Sequence, residues 1–166
     1  MGRPKKELLF LISTFLSAIA IIVLWYTPLM SILHEAGHGY MYYILTGNKC
    51  DYARHEIENK TTYETLCSNK GVSSFQHNLV LYSGFGFTIL IGLLLIFTPL
   101  SIIGGVMQVI TAYTLVFAEQ KDLVNAPRWM IILIAAILLL VWIASIHIQV
   151  KWLEYFIRKI KRFKQK

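Results

Sequence analysis

The segment Leu33-His34-Glu35-Ala36-Gly37-His38-Gly39 carries two histidines four positions apart, with a glutamate directly after the first. On an α-helix, positions i and i+4 share a face, one turn apart. Two imidazoles so placed can converge on one Zn²⁺ at about 2.0–2.1 Å each. Glu35 stands one position further on, where it reaches water beside the metal rather than the metal itself. Zinc lowers the pKa of a bound water toward ~7, and a neighbouring carboxylate can accept the proton. The hydroxide so formed attacks a carbonyl carbon, and the metal stabilises the oxyanion. The spacing therefore predicts a hydrolase, with Glu35 activating a zinc-bound water and one Zn²⁺ per chain held by His34 and His38.

A catalytic zinc keeps one position for water, so a third protein ligand is needed. Glu119, Asp122, His55, His77 and His147 could supply it. Asp122 is preferred. It follows the third apolar span, in Glu119-Gln120-Lys121-Asp122-Leu123, and would reach the membrane face to which the first span delivers His34. Glu119 is the competitor, since glutamate also completes zinc sites of this motif. His147 falls at the opposite end of the fourth span. His55 lies in a polar segment, and nothing beyond its place at the start of the second span supports His77.

The elements that must position these residues are apolar. Of the 166 residues, 56% are hydrophobic and 15% charged, against about 45–50% and about 25% in soluble domains. The excess has to face lipid. Leu79–Phe97, Leu100–Ala118 and Trp129–Ile148 are each close to the ~20 residues that cross a bilayer. Leu8–Leu45 would be roughly 57 Å long as one helix, against a hydrocarbon core of ~30 Å. Either it bends at Pro28 and projects, or a turn at Pro28 divides it into two spans. The net charge of +7 is concentrated at the two ends of the chain. Basic flanks stay cytoplasmic, and an even number of spans puts both termini there. The expected fold is an all-α polytopic transmembrane helical bundle of four spans (five remain possible), with a short polar loop after the first span. Residues 46–78 and 119–128 then share the other face. The start of the chain reads as an uncleaved signal anchor, because the apolar run continues past Ala18-Ile19-Ala20.

Residues 1–148 are expected to form the transmembrane domain and 149–166 a basic amphipathic tail. In the tail, Leu153, Phe156, Ile160 and Phe163 recur at helical spacing among lysines and arginines. That pattern suits a helix lying on an anionic leaflet, or a solvated basic helix that enforces topology. Because the tail directly follows an apolar span, nucleic acid is not the expected partner. Cys50 and Cys67 lie in one polar segment; either a disulfide or two free thiols fits.

The chain resembles the site-2 protease family of intramembrane metalloproteases. The resemblance rests on Ile32-Leu33-His34-Glu35-Ala36-Gly37-His38-Gly39, then Leu45-Thr46-Gly47, then the glycine-bearing Ser83-Gly84-Phe85-Gly86, and Asp122 after a later span. It implies that His34, His38 and Asp122 bind zinc and that Glu35 activates water. It also implies peptide-bond hydrolysis in or beside the bilayer, on membrane-anchored protein substrates. Two other classes remain open. A prenyl-protein protease also uses H-E-x-x-H, with a later glutamate as ligand. A non-enzymatic membrane assembly protein could keep the motif as a polar helix contact.

Overall fold

The computed structural model describes residues 6–57, 60–68, 72–117, 123 and 126–163. The helices are α1 (Lys6–Tyr26), α2 (Leu29–Thr46), α3 (Ser74–Ile96), α4 (Ser101–Phe117) and α5 (Arg128–Phe163). Between α2 and α3 stand β1 (Asp51–Ile57) and β2 (Lys60–Leu66), an antiparallel hairpin pairing Asp51 with Leu66 and Arg54 with Tyr63. The helical expectation holds, but the polar segment is a small sheet rather than a loop. The reason is local: Thr61, Thr62, Tyr63 and Thr65 are β-branched or aromatic and favour an extended backbone. A lone hairpin is marginally stable. This one is closed at its base by a Cys50–Cys67 disulfide, with Cα atoms 4.6 Å apart, and is fastened to α2.

Helices α1, α3 and α5 are each long and apolar enough to cross a membrane. With 17 residues α4 is shorter, yet it is the most enclosed helix, lying against α1, α3 and α5. The chain breaks at Thr27-Pro28. An antiparallel pair would bring α1 and α2 together along their length, but they barely touch. Instead α1 packs on α4 and α5, while α2 packs on α3 and β2. The long first block therefore bends at Pro28 rather than reversing.

Ring contacts fix the directions. Phe10 near the start of α1 meets His147 in the second half of α5, and Trp25 at its end meets Tyr113 late in α4. So α1 and α4 run one way, and α3 and α5 the other. Glycines let α3 and α4 cross closely, since a Cβ on Gly104 would lie 2.5 Å from the Gly92 carbonyl oxygen. Leu24, Val106, Met107 and Ile110 form one core cluster. Phe85, Ala112, Leu115, Ala135 and Leu138 form a second, nearer the end of the bundle that carries the hairpin. Exposed Tyr26, Phe117 and Trp129 ring that end, as aromatic side chains do at a membrane boundary. α5 runs past position 148 without a break, and its 36 residues extend about 54 Å, longer than a bilayer core.

Candidate metal centre

α2 starts after Pro28, whose ring suits a helix entrance. It stops at Gly47, which takes the left-handed conformation (φ 72°) and donates its N–H to the Tyr43 carbonyl at 2.8 Å. One turn apart between these ends are His34 and His38. Their Nε2 atoms are 3.0 Å apart. Ligand atoms of His34, Glu35 and His38 all lie within 4.8 Å of one another. His38 is buried; His34 and Glu35 are half-buried.

The tautomer of His38 follows from its other nitrogen. Nδ1 is 2.7 Å from the Val80 carbonyl oxygen on α3. A carbonyl only accepts, so Nδ1 carries a hydrogen, and in the neutral ring the Nε2 lone pair faces His34. Two such lone pairs repel unless a proton or a cation sits between them. Two ~2.0 Å bonds at a tetrahedral angle would hold the nitrogens about 3.3 Å apart, close to the 3.0 Å found. The group could thus hold a metal ion, with Val80 as the outer partner that orients one ligand.

α3 is shaped to receive these rings. It begins with a capping box in which Ser73 and Gln76 each accept from the other's backbone N–H. The Ser83 hydroxyl lies 2.5 Å from the Val80 oxygen and 3.0 Å from that of Gly37, joining α3 to α2. Phe85 meets the His34 ring edge-on, with centroids 4.5 Å apart. Gly84 faces both imidazoles: a Cβ there would lie 2.6 Å from His38 Nε2.

Glu35 is held from the hairpin. Its Oε2 accepts the Thr65 backbone N–H at 2.7 Å, and the Thr65 hydroxyl donates to the Glu35 carbonyl at 2.9 Å. One repeat along β2, the Tyr63 N–H donates to Ser31 Oγ at 3.0 Å. Two outward N–H groups of β2, those of Tyr63 and Thr65, are therefore satisfied by the helix that bears the motif.

The centre lies near one end of the bundle. Phe85, against His34, packs on Ala112 and Leu115, and α4 ends at Phe117. That places the site within about 8 Å of the end of α4. It also borders a cavity of ≈ 310 Å³ whose walls include His34, Phe85 and Thr62.

The other ligand candidates divide cleanly. His55 pairs with Glu64 at 3.2 Å on an exposed part of the hairpin. His147 lies 3.2 Å from the Ile143 carbonyl and against Phe10, at the other end of the bundle. Among the described residues, neither these nor His77 joins the His34 group. Asp122 and Glu119 lie outside the described residues. Leu123, directly after Asp122, packs against the cluster that contains Phe85.

Three contributors had no motif to announce them: the Val80 carbonyl, the Thr65 N–H and the Ser31 hydroxyl. Main-chain groups leave no mark on composition. Thr65 nonetheless falls in the β-branched run that signals a strand. A comparison with known protein families, curated proteins and solved structures finds no match for this chain.

Proposed function

We propose that the chain is a zinc-dependent intramembrane endopeptidase that hydrolyses peptide bonds of membrane-anchored proteins, as its resemblance to site-2 proteases implies. The observation that carries this reading is the convergence of the His34 and His38 Nε2 atoms beside Glu35, near one end of an apolar helical bundle. Ionisable groups in such a setting are costly and mark function by default.

His34, His38 and Asp122 would hold the ion. The choice of Asp122 is supported by Leu123, whose packing on the Phe85 cluster brings that part of the chain toward the His34 ring. Bound there, Zn²⁺ would supply Lewis-acid polarisation. The chain's own residues do the rest. Glu35 takes a proton from the attacking water at its carboxylate and returns it to the leaving amine nitrogen. The Thr65 N–H holds one carboxylate oxygen in place through these transfers. The Val80 carbonyl holds the hydrogen of the neutral His38 ring on Nδ1, which leaves Nε2 as the atom that would meet the ion. A helical substrate must unwind to expose its amide. An extended segment running beside the hairpin would present it next to Glu35.

Four crossings fit this reading, with the α1–α2 unit, α3, α4 and α5 each traversing once. Both basic ends then lie on the cytoplasmic side, and the hairpin and site lie toward the other.

The test uses purified protein in lipid vesicles with a panel of membrane-anchored substrates. Wild type is expected to cleave at least one, and Glu35→Gln none, with zinc content equal in both. Equal cleavage by the two would refute the role of Glu35. Asp122→Ala is expected to lose zinc while Glu119→Ala keeps it. The reverse result would favour the prenyl-protein protease class.

A further inference from the structure

α5 outruns the helices it packs on. Phe10 of α1 meets His147, and Gly105 of α4 faces Trp142 and Ser145. α1 starts one turn before Phe10, at Lys6, and α4 one turn before Gly105, at Ser101. Both therefore give out opposite the stretch from Gln149 to Lys151. α5 continues to Phe163, about 18 Å further.

The face that α5 turns to the bundle does not stop there. Ile146 and Gln149 are buried on it, and Leu153, Phe156, Ile160 and Phe163 prolong it in alternating steps of four and three. That is the repeat of a seam made for another helix. Leu153 is half-buried, but Phe156, Ile160 and Phe163 are 40%, 57% and 72% exposed. The chain from Lys151 onward carries seven basic residues against one acidic, Glu154. Among the described residues, Arg158 is the only cation of this segment in an ion pair, with Glu154 at 3.2 Å. Lys159 stands at the edge of the stripe.

To cover this stripe with a lipid leaflet, α5 would have to break near Lys151 and lie flat. It holds neither glycine nor proline and runs unbroken. Headgroups reach only about 5–7 Å beyond the hydrocarbon, so a straight α5 carries Ile160 and Phe163 past them. A second copy would set two basic tails against each other. We propose that the end of α5 is a docking site for an amphipathic helix of a partner protein, one with an apolar seam and acidic flanks. Its seam covers Phe156, Ile160 and Phe163, and its carboxylates meet Lys159 and the wider basic field of the tail. On the orientation proposed above, that partner is cytoplasmic. Nothing in this docking depends on proteolysis.

The test uses the full chain in phosphatidylcholine nanodiscs, which leave both faces open. The probes are two synthetic three-heptad helices with leucine along the seam, one flanked by glutamate and the other by lysine. Fluorescence anisotropy should show the glutamate-flanked helix binding at least about tenfold more tightly. Ile160→Ser, with helix content unchanged by circular dichroism, should weaken it by at least about tenfold, the effect of one buried isoleucine. Lys159→Glu combined with Arg162→Glu should abolish the preference for glutamate. Equal binding of the two helices by wild type, or wild-type binding by Ile160→Ser, overturns the proposal. The rival occupants are tested with a polarity-sensitive fluorophore on Phe163→Cys, the chain's own cysteines being joined to each other. Its emission should remain that of a water-exposed dye in both phosphatidylcholine and phosphatidylglycerol nanodiscs, and shift to the blue when the glutamate-flanked helix is added. A blue shift in phosphatidylglycerol alone overturns the proposal in favour of the leaflet. Efficient cross-linking of Phe163→Cys between copies overturns it in favour of self-association.

Discussion

Replacing Gly84 by alanine should cripple the centre without unfolding the protein. The added methyl carbon would lie 2.6 Å from His38 Nε2 and 2.7 Å from the Cε1 atoms of both His34 and His38. Ordinary carbon contacts start near 3.4 Å, so the rings or the helices must part by about 0.8 Å. Metal–ligand distances tolerate only about 0.2 Å and catalytic positions about 0.5 Å. A misplacement of about 1 Å can cost a hundredfold in rate. The effect on folding is milder, because overpacking costs about 1–3 kcal/mol while alanine in place of glycine returns up to about 1 kcal/mol in a helix. Gly86 is the matched control, two residues along the same helix: a Cβ there meets nothing within 4 Å. Zinc content after dialysis, thermal unfolding by circular dichroism and substrate turnover should be measured on all three proteins. Gly84→Ala is expected to lose at least about tenfold in turnover or zinc affinity, with Gly86→Ala equal to wild type or slightly more stable. Full zinc and full turnover in Gly84→Ala would show that the two imidazoles do not act together where α3 receives them.

Two further outcomes test the hairpin. Thr65→Pro removes the N–H that Glu35 accepts. That group points away from β1, so the ladder is spared, as proline allows at an edge. Turnover should drop by about tenfold or more with zinc retained, whereas Thr65→Val, which keeps the N–H, should lose far less. Thr65→Pro cleaving at the wild-type rate would remove the hairpin from the mechanism. Cys50→Ser opens a disulfide whose cysteines are 17 positions apart, which in the chain-entropy account costs about 3 kcal/mol. Limited proteolysis should then cut within residues 48–68 first, and a hairpin as resistant as wild type would mean that its contacts with α2 suffice.

The grouping of His34, Glu35 and His38 was legible because its information is local. Residue type and one helical turn decide it, and His34 and His38 converge as the spacing requires. The apolar helices, three of them long enough to cross a membrane, were legible for a similar reason, since length and apolarity are summed along the chain. The bend at Pro28 was not, because one proline permits both a kink and a reversal. The outcome was decided by partners far away in sequence, α4 and α5 for α1 and α3 for α2. The hairpin lay between: its β-branched run was visible, but a two-stranded sheet needs an anchor to persist. The bonds from Thr65 to Glu35 and from Tyr63 to Ser31 join residues about thirty positions apart.

The disulfide and the charges bear on orientation from independent physics. Disulfides persist in oxidising compartments and are reduced in the cytosol. The Cys50–Cys67 bond closes the hairpin, and the hairpin holds Glu35. Site and disulfide therefore sit at the same end of the bundle. Basic flanks are retained in the cytoplasm by a different mechanism, acting during insertion. The basic residues cluster at the start of α1 and the end of α5, which share the opposite end of the bundle. Redox chemistry and charge retention would thus favour the same orientation, the one proposed above with the site facing outward. A substrate would then be met where its anchor leaves the bilayer on the non-cytoplasmic side.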